Sequence, residues 1–499
     1  HFYLRDFRPI FHISIRERTG TAFTQNTRDI FNRLWEDEQE EKLAIILSTS
    51  CVPGHAWNAD FMFERLLPIP LADRDSTWSR WFTSVRSDLV DRAEEIIDWA
   101  LNVDARIAHA EVARLAGITL TWLFTVTNRN IRDRATKGLV NLLVGVPALF
   151  PKLINRFCVI DDPYVLDRLL AAGYGAICLD PTNERIAAAA QAVADSIFGE
   201  KEPPIHLIIR AWSISILERA VERDLTPASF DTARMQPPFG SAPPVFDVTE
   251  GKLAKIAAAA GDGTIARSCQ QMGDFFTYIV SGAIGDFSKT PLTEPPPLTQ
   301  DERANCFVAS VRVLGGNAVD RLDDLLRAVE LCRKEELPLI TFKKRASRIV
   351  LRTRRPKKRT NEVLLRAERT FVNSLPEMIR VVYVSELAPK IHRKFEPPER
   401  RDPIPAGLWI GRRAYELGWT KDRFPSEPYS EDRKSRATER VGKKYQWIAL
   451  EELMARLADN YWIKAGNEKG TRVYKNRQDM WHPTLIDPTI LPPKPGSSS

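Results

Sequence analysis

The chain has 499 residues, 43% of them hydrophobic and 27% charged, and a formal net charge of +7. These are the fractions of an ordinary soluble protein, and no apolar run approaches the ~20 residues that a membrane helix needs. Leu139–Phe150 is interrupted by Asn141 and Pro147, and Pro204–Leu217 by His206 and Arg210. A chain of this length can build three or four domains or one long repeat array. No signal-peptide pattern is present, and the start at His1 reads as mid-domain sequence, which points to a longer protein. The six cysteines are far apart and form no CxxC pair. That argues for reduced thiols and a cytoplasmic protein rather than a disulfide framework. The seven histidines are scattered and show no zinc-ligand spacing.

Residues 1–104 read as a connecting region of mixed α/β or irregular character. Phe11–Arg16 alternates as a strand would. Asp29–Leu34 runs into an acidic helix over Glu36–Lys42. Leu43–Leu47 fits a buried strand or a short core helix equally well, because periodicity does not separate the two. Pro53-Gly54 marks a turn. In the following His55-Ala56-Trp57-Asn58-Ala59-Asp60, a catalytic or metal cluster is imaginable, but capping of a helix over Ala59–Leu67 by Asn58 or Asp60 is the better reading. Trp78, Trp81 and Phe82 recur at helical spacing and read as core.

From residue 105 to 290 the sequence settles into helices joined by short polar or Pro-containing turns. Asn130–Leu143 has the form of the second helix of a HEAT-type repeat. Related units are Asp162–Ala176, opened by a capping Asp162 and Pro163, and Ile205–Val221. Equivalent apolar positions Ile131, Val165 and Ile209 lie 34 and 44 residues apart, close to the 40–47 of HEAT units. The expected fold is therefore mainly α, a HEAT-like solenoid in which Ala and Gly positions let paired helices approach and Leu positions fill the seam.

Residues 291–402 follow the stiff Glu294-Pro295-Pro296-Pro297 boundary. They read as a helical segment containing a basic stretch, 343–359, with ten basic residues in seventeen and no acid. Lys343, Lys344, Arg345, Arg348, Arg352, Arg354, Arg355, Lys357, Lys358 and Arg359 are candidate partner-binding residues, for nucleic acid or an acidic protein. A solvated helix face is the plainer reading. Phe342 is the only aromatic nearby, so a base-stacking module is not indicated.

Residues 403–490 read as a helical C-terminal module, and 491–499 as a disordered tail. Trp447, Leu450, Leu453, Met454 and Leu457 form one apolar stripe. Gly442-Lys443-Lys444 before it reads as a basic turn. Cations are unfavourable at the positive end of a helix dipole, so Lys443 and Lys444 are further candidate contacts for an acidic partner.

No stretch carries a catalytic motif. There is no phosphate loop, GxGxxG, GxSxG or HExxH. No catalytic, cofactor-binding or metal residue is assigned.

Several strings together resemble one family: Arg132-Asp133-Arg134-Ala135-Thr136-Lys137, Asp161–Leu166, Gly411–Trp419, Gly442–Ile448, Leu457-Ala458-Asp459-Asn460 and Ile486-Asp487-Pro488. They look like the helical-repeat region of prokaryotic antiviral STAND NTPases of the AVAST-like type, over about residues 43–490. The resemblance implies a sensor that recognises a phage structural or packaging protein and drives self-association and effector activation through the full-length protein. ATP and Mg would belong to an NTPase domain upstream, not to this chain. The alternative is a helical scaffold whose basic stretch binds nucleic acid. No membrane partner is expected.

Overall fold

The computed structural model describes residues 2–18, 22–37, 39–83, 88–199, 202–336, 343–345, 348–350, 358–391, 401–425, 438–466 and 472–475. It divides into two units. One is His1–Phe287 with Arg401–Ile463, and the other is Ser288–Arg400 with Lys464–Lys475.

The first unit is built from helices: α1 (Phe2–Glu17), α2 (Gln25–Asp37), α3 (Gln39–Thr49), α4 (Ala59–Leu66), α5 (Leu71–Thr77), α6 (Asp88–Asn102), α7 (Ala110–Trp122), α8 (Arg129–Gly145), α9 (Leu149–Phe157), α10 (Pro163–Leu179), α11 (Asn183–Ile197) and α12 (Leu207–Val221). The helices α6, α8, α10 and α12 pack in succession as one row. A second row, α4, α7, α9 and α11, packs against it. This is the mainly helical, solenoid-like architecture that the repeat pattern predicts.

Local chemistry starts several helices where the sequence signals it. Asn58 caps α4, accepting from the Asp60 and Phe61 amides. Asn128 caps α8. Asp162 caps α10, with Pro163 in the first turn, where its missing N–H costs nothing. Helices in the middle of the stack bury most of their circumference, so Val165, Leu166, Leu169 and Leu170 are all inside. Two glycines set close helix approaches, one within a row and one between rows. A Cβ on Gly138 would lie 3.1 Å from that of Ala100, and one on Gly173 would lie 2.3 Å from the Phe150 ring.

The N-terminal part differs from the expectation of mixed or irregular structure. Phe11–Arg16, read as a strand, lies inside α1, and Leu43–Leu47 lies inside α3. Ile45, Ile46 and Leu47 are all buried, so of the two readings open for this apolar run the core helix, packed on more than one side, is the one found.

The rest of the first unit is α13 (Glu250–Ala259), α14 (Thr264–Cys269), a π-turn at Phe276–Val280 leading into α15 (Ser281–Gly285) and, after the second unit's stretch of chain, two further helices that carry numbers α21 (Pro403–Glu416) and α22 (Val441–Asn460). Leu253, Ile265, Phe276, Trp409, Trp447 and Leu450 share one core cluster. Gly442 is not in a turn. The helix already begins at Val441, and a Cβ at 442 would come within 3.0 Å of the Ile265 side chain.

The second unit contains α16 (Gln300–Leu314), α17 (Asn317–Glu336), α18 (Lys358–Ser374), α19 (Glu377–Glu386) and α20 (Ala388–Ile391). Thr299 and Glu302 form a reciprocal capping box on α16. Phe307, Val311, Leu322, Leu325, Phe371 and Tyr383 make the core. The described strands are β1 (Phe287–Pro291), β2 (Lys343–Arg345), β3 (Arg348–Val350), β4 (Tyr461–Gly466) and β5 (Arg472–Lys475). They form a sheet in the order β1-β4-β5 and the hairpin β2-β3. Among the described residues, no helix is long and apolar enough to cross a membrane.

Candidate functional site

The densest chemistry in the first unit lies along α22, where it meets α5, α8, α10 and α12. At its first turn the Lys444 ammonium is wholly shielded from solvent. It donates to Asp162 Oδ2 at 2.7 Å, to Asp75 Oδ1 at 2.9 Å and to the Thr125 carbonyl at 2.9 Å. Three donors meet three acceptors, which is the full capacity of an ammonium group. Ser79 Oγ donates to the same Asp75 oxygen at 2.6 Å. Trp78 Nε1 donates to Thr125 Oγ1 at 3.0 Å. Burial pushes the Asp75 carboxyl up, with Lys444 pulling it back down. The next residue, Tyr445, is held well above the usual phenol range by burial and by Asp75.

One and two turns further along, a cavity of about 40 Å³ is lined by Arg132, Tyr164, Arg168, His206, Glu439 and Glu451, among others. That is room for a few waters. Arg168 Nη1 donates to Asp133 at 2.7 Å. Arg132 Nη1 donates to the Val126 carbonyl at 2.8 Å, and its guanidinium lies 4.9 Å from the Tyr164 ring centroid. His206 Nδ1 accepts from the Ile209 amide and so caps α12, which leaves the proton on Nε2. That buried N–H finds no hydrogen-bond partner among the described residues. Burial, reinforced by Arg210, pushes the His206 imidazole down to about 3, so it is neutral. Burial, with Asp167 nearby, pushes Glu451 up to about 8.

At the last turn, Arg210 Nη1 and Asp459 Oδ2 pair at 3.0 Å with both side chains fully buried. Asp459 also accepts from the Phe239 and Ser241 amides, and Asn460 Nδ2 donates to the Ser241 carbonyl at 2.9 Å. The helix is thereby tied to the Pro-rich loop before α13.

This seam holds charge in buried, paired groups. His55 belongs to packing as well. Its Nε2 reaches the Ile15 carbonyl at 3.0 Å, and its Nδ1 accepts from the Trp57 amide. Asp60 is paired with Arg114 and Arg156 and is held down to about 2. Among the described residues no group of three His, Cys, Asp or Glu side chains is placed to hold a metal.

Lys444 was a candidate contact for an acidic partner, and the structure places it inside the fold instead. An ammonium with no exposed surface, saturated by its own chain, contacts nothing outside. Lys443, beside it, is partly exposed. The backbones of Lys343, Lys344, Arg345 and Arg348 lie in the hairpin, with Lys343 opposite Val350 and Arg345 opposite Arg348. Lys358 and Arg359 begin α18. The side chains of these six residues, and all of Arg352, Arg354, Arg355 and Lys357, lie outside the described residues.

Asp75, Arg210, Glu451 and Asp459 were not singled out from the sequence. A signal for one of them, Glu451, is present. Val441, Lys444, Ile448, Glu451, Ala455 and Ala458 recur at three- and four-residue spacing, a second stripe that interrupts apolar positions with one cation and one anion.

No protein-family model matches this chain, and no curated protein or solved structure matches it.

Proposed function

We propose that this chain is a protein–protein recognition module. In this reading it is the sensor part of an antiphage STAND ATPase, which binds a phage structural or packaging protein and thereby triggers oligomerisation and effector activation. The observation that carries recognition lies in the second unit. Helix α19 turns Tyr383 inward and leaves Met378 84%, Val381 71% and Val384 66% exposed. Three large aliphatic side chains on one arc of a short helix form a surface that water disfavours and a protein partner would cover. The sensor assignment itself rests on the sequence resemblance.

The test is direct binding. The purified chain is titrated calorimetrically with purified large-terminase and portal subunits from a panel of phages. One of them is expected to bind at micromolar affinity or tighter, and Met378→Asp with Val381→Asp to weaken it at least ~10-fold. A panel with no binder, or a full reading frame with no P-loop domain upstream of His1, overturns the sensor reading.

The nucleic-acid reading is favoured by one feature, the basic two-stranded ribbon β2–β3. Such a ribbon can enter a duplex major groove. Binding to duplex DNA or RNA should then be strongest near ~50 mM salt and collapse by ~200 mM. No affinity at the lower salt removes this reading.

A further inference from the structure

The second unit carries a groove that neither the buried seam nor the α19 stripe uses. It runs between α17 and α18, has a volume of about 630 Å³ and is open to solvent. That volume is within the usual ~300–1,000 Å³ of binding clefts. One wall is a single face of α17, with Arg321, Asp324, Arg327 and Leu331 at three- and four-residue spacing. The other is a face of α18, with Val363 and Arg366.

Two properties of this lining select an occupant. The first is charge: three arginines face one aspartate. Asp324 is shared, accepting from Arg327 Nη2 at 2.8 Å and from Arg321 Nη1 at 3.4 Å, so one carboxylate positions two guanidinium groups. Arg366 is exposed and pairs with no carboxylate among the described residues. The second property is the apolar surface. Leu331 is 47% and Val363 44% exposed, and the alanines Ala328 and Ala367 keep the cleft between them open. A nucleic acid would gain from the arginines, but it would meet the Asp324 carboxylate and find no aromatic ring on which to stack a base. An acidic helix with an apolar stripe satisfies both properties at once.

We propose that the α17–α18 groove docks an acidic amphipathic helix of a partner protein. Its aliphatic side chains cover Leu331 and Val363, and its carboxylates pair with Arg327 and Arg366. The proposal rests on the recognition-module reading and specifies one surface and one kind of partner chemistry. The pairs lie at the rim, so they steer and select more than they tighten, and the complex is salt-sensitive.

The experiment uses the full chain and a fluorescein-labelled peptide of about 18 residues with Leu on one helical face and Glu flanking it. Controls are a scrambled peptide of the same composition and a version with every Glu replaced by Lys. Anisotropy should report saturable binding of the acidic amphipathic peptide, weakened several-fold by added salt. Arg327→Glu with Arg366→Glu should lower affinity at least ~10-fold and should gain binding of the Lys peptide, a reversal that mere surface damage would not produce. All these side chains are exposed, so the variants should keep the parent circular-dichroism spectrum and melting temperature. Equal binding of the scrambled and amphipathic peptides, an unchanged affinity in the double variant, or loss without the charge reversal each overturn the proposal. Displacement of the peptide by duplex DNA as readily as by unlabelled peptide also overturns it, in favour of nucleic acid. A phage protein that binds the chain while the peptide does not removes the groove and leaves the recognition reading standing. Peptide binding without any phage-protein binder removes the sensor reading and leaves the groove.

Discussion

Arg210 and Asp459 stand 249 positions apart in the chain and meet at 3.0 Å, each with no exposed side-chain surface. The pair joins the first turn of α12 to the last turn of α22. A buried pair of this kind adds little net stability over an apolar replacement, but breaking it leaves one charge stranded. Asp459→Ala should therefore cost about 3–5 kcal/mol, whereas Arg210→Met with Asp459→Leu should recover most of that. Urea unfolding gives the energies. Hydrogen exchange should show Phe239 and Ser241 losing protection in the single variant, since Asp459 accepts from both amides. Equal stability of the single variant and the parent would refute the argument.

Lys444 makes the same logic sharper, because two carboxylates depend on it. Lys444→Met removes the only cation that hydrogen-bonds to Asp75 or Asp162 among the described residues, and a loss of at least about 3 kcal/mol is expected. Adding Asp75→Asn and Asp162→Asn neutralises the stranded charge and should restore part of the stability. If the triple variant is no better than the single, the cost comes from packing rather than charge.

The pH dependence follows from Glu451. Its folded value, raised to about 8 from an ordinary 4.5, means that the folded protein holds a proton which the unfolded chain releases. The stabilisation is full below pH ~4.5 and is lost as pH rises through ~8. His206 has the opposite sign. Its folded value of about 3, against 6.5, gives stability that is present above pH ~6.5 and lost as pH falls toward 3. The two slopes oppose each other between pH ~4.5 and ~6.5, and from ~6.5 to ~8 the His206 contribution is constant while that of Glu451 declines. Glu451→Gln should flatten that decline, by an amount on the order of a few kcal/mol. Melting temperatures of both proteins across this interval decide it. Parallel curves would show that Glu451 is ionised in the fold.

Gly173 tests the packing of the repeat rows. Because a Cβ there would stand 2.3 Å from the Phe150 ring, Gly173→Ala should destabilise by about 1–3 kcal/mol despite alanine's better helix propensity. Phe150→Leu in the same chain should relieve part of the clash. A neutral or stabilising Gly173→Ala would mean that α9 and α10 separate freely.

The helical rows were legible because their apolar periodicity, capping Asn58 and Asp162, and small residues such as Gly138 and Gly173 all point the same way. The error in α1 came from alternation over Phe11–Arg16, too short a window to separate a strand from one face of a helix. The error at Lys444 has another cause. A charged residue is placed by what surrounds it in three dimensions, and its carboxylate partners, Asp75 and Asp162, lie 369 and 282 positions away. Local reasoning saw a cation near a helix N-terminus and offered it to an acidic partner. The fold brings the α10 cap to it instead, so Asp162 serves both a helix start and the ion cluster.

The placement of α21 and α22 also has a consequence for the gene. Both helices belong to the core begun by the first 287 residues, although the chain builds another unit before reaching them. Residues 288–400 thus interrupt one fold, whose core takes up the chain again from Arg401. During synthesis the early helices must wait for their closing piece.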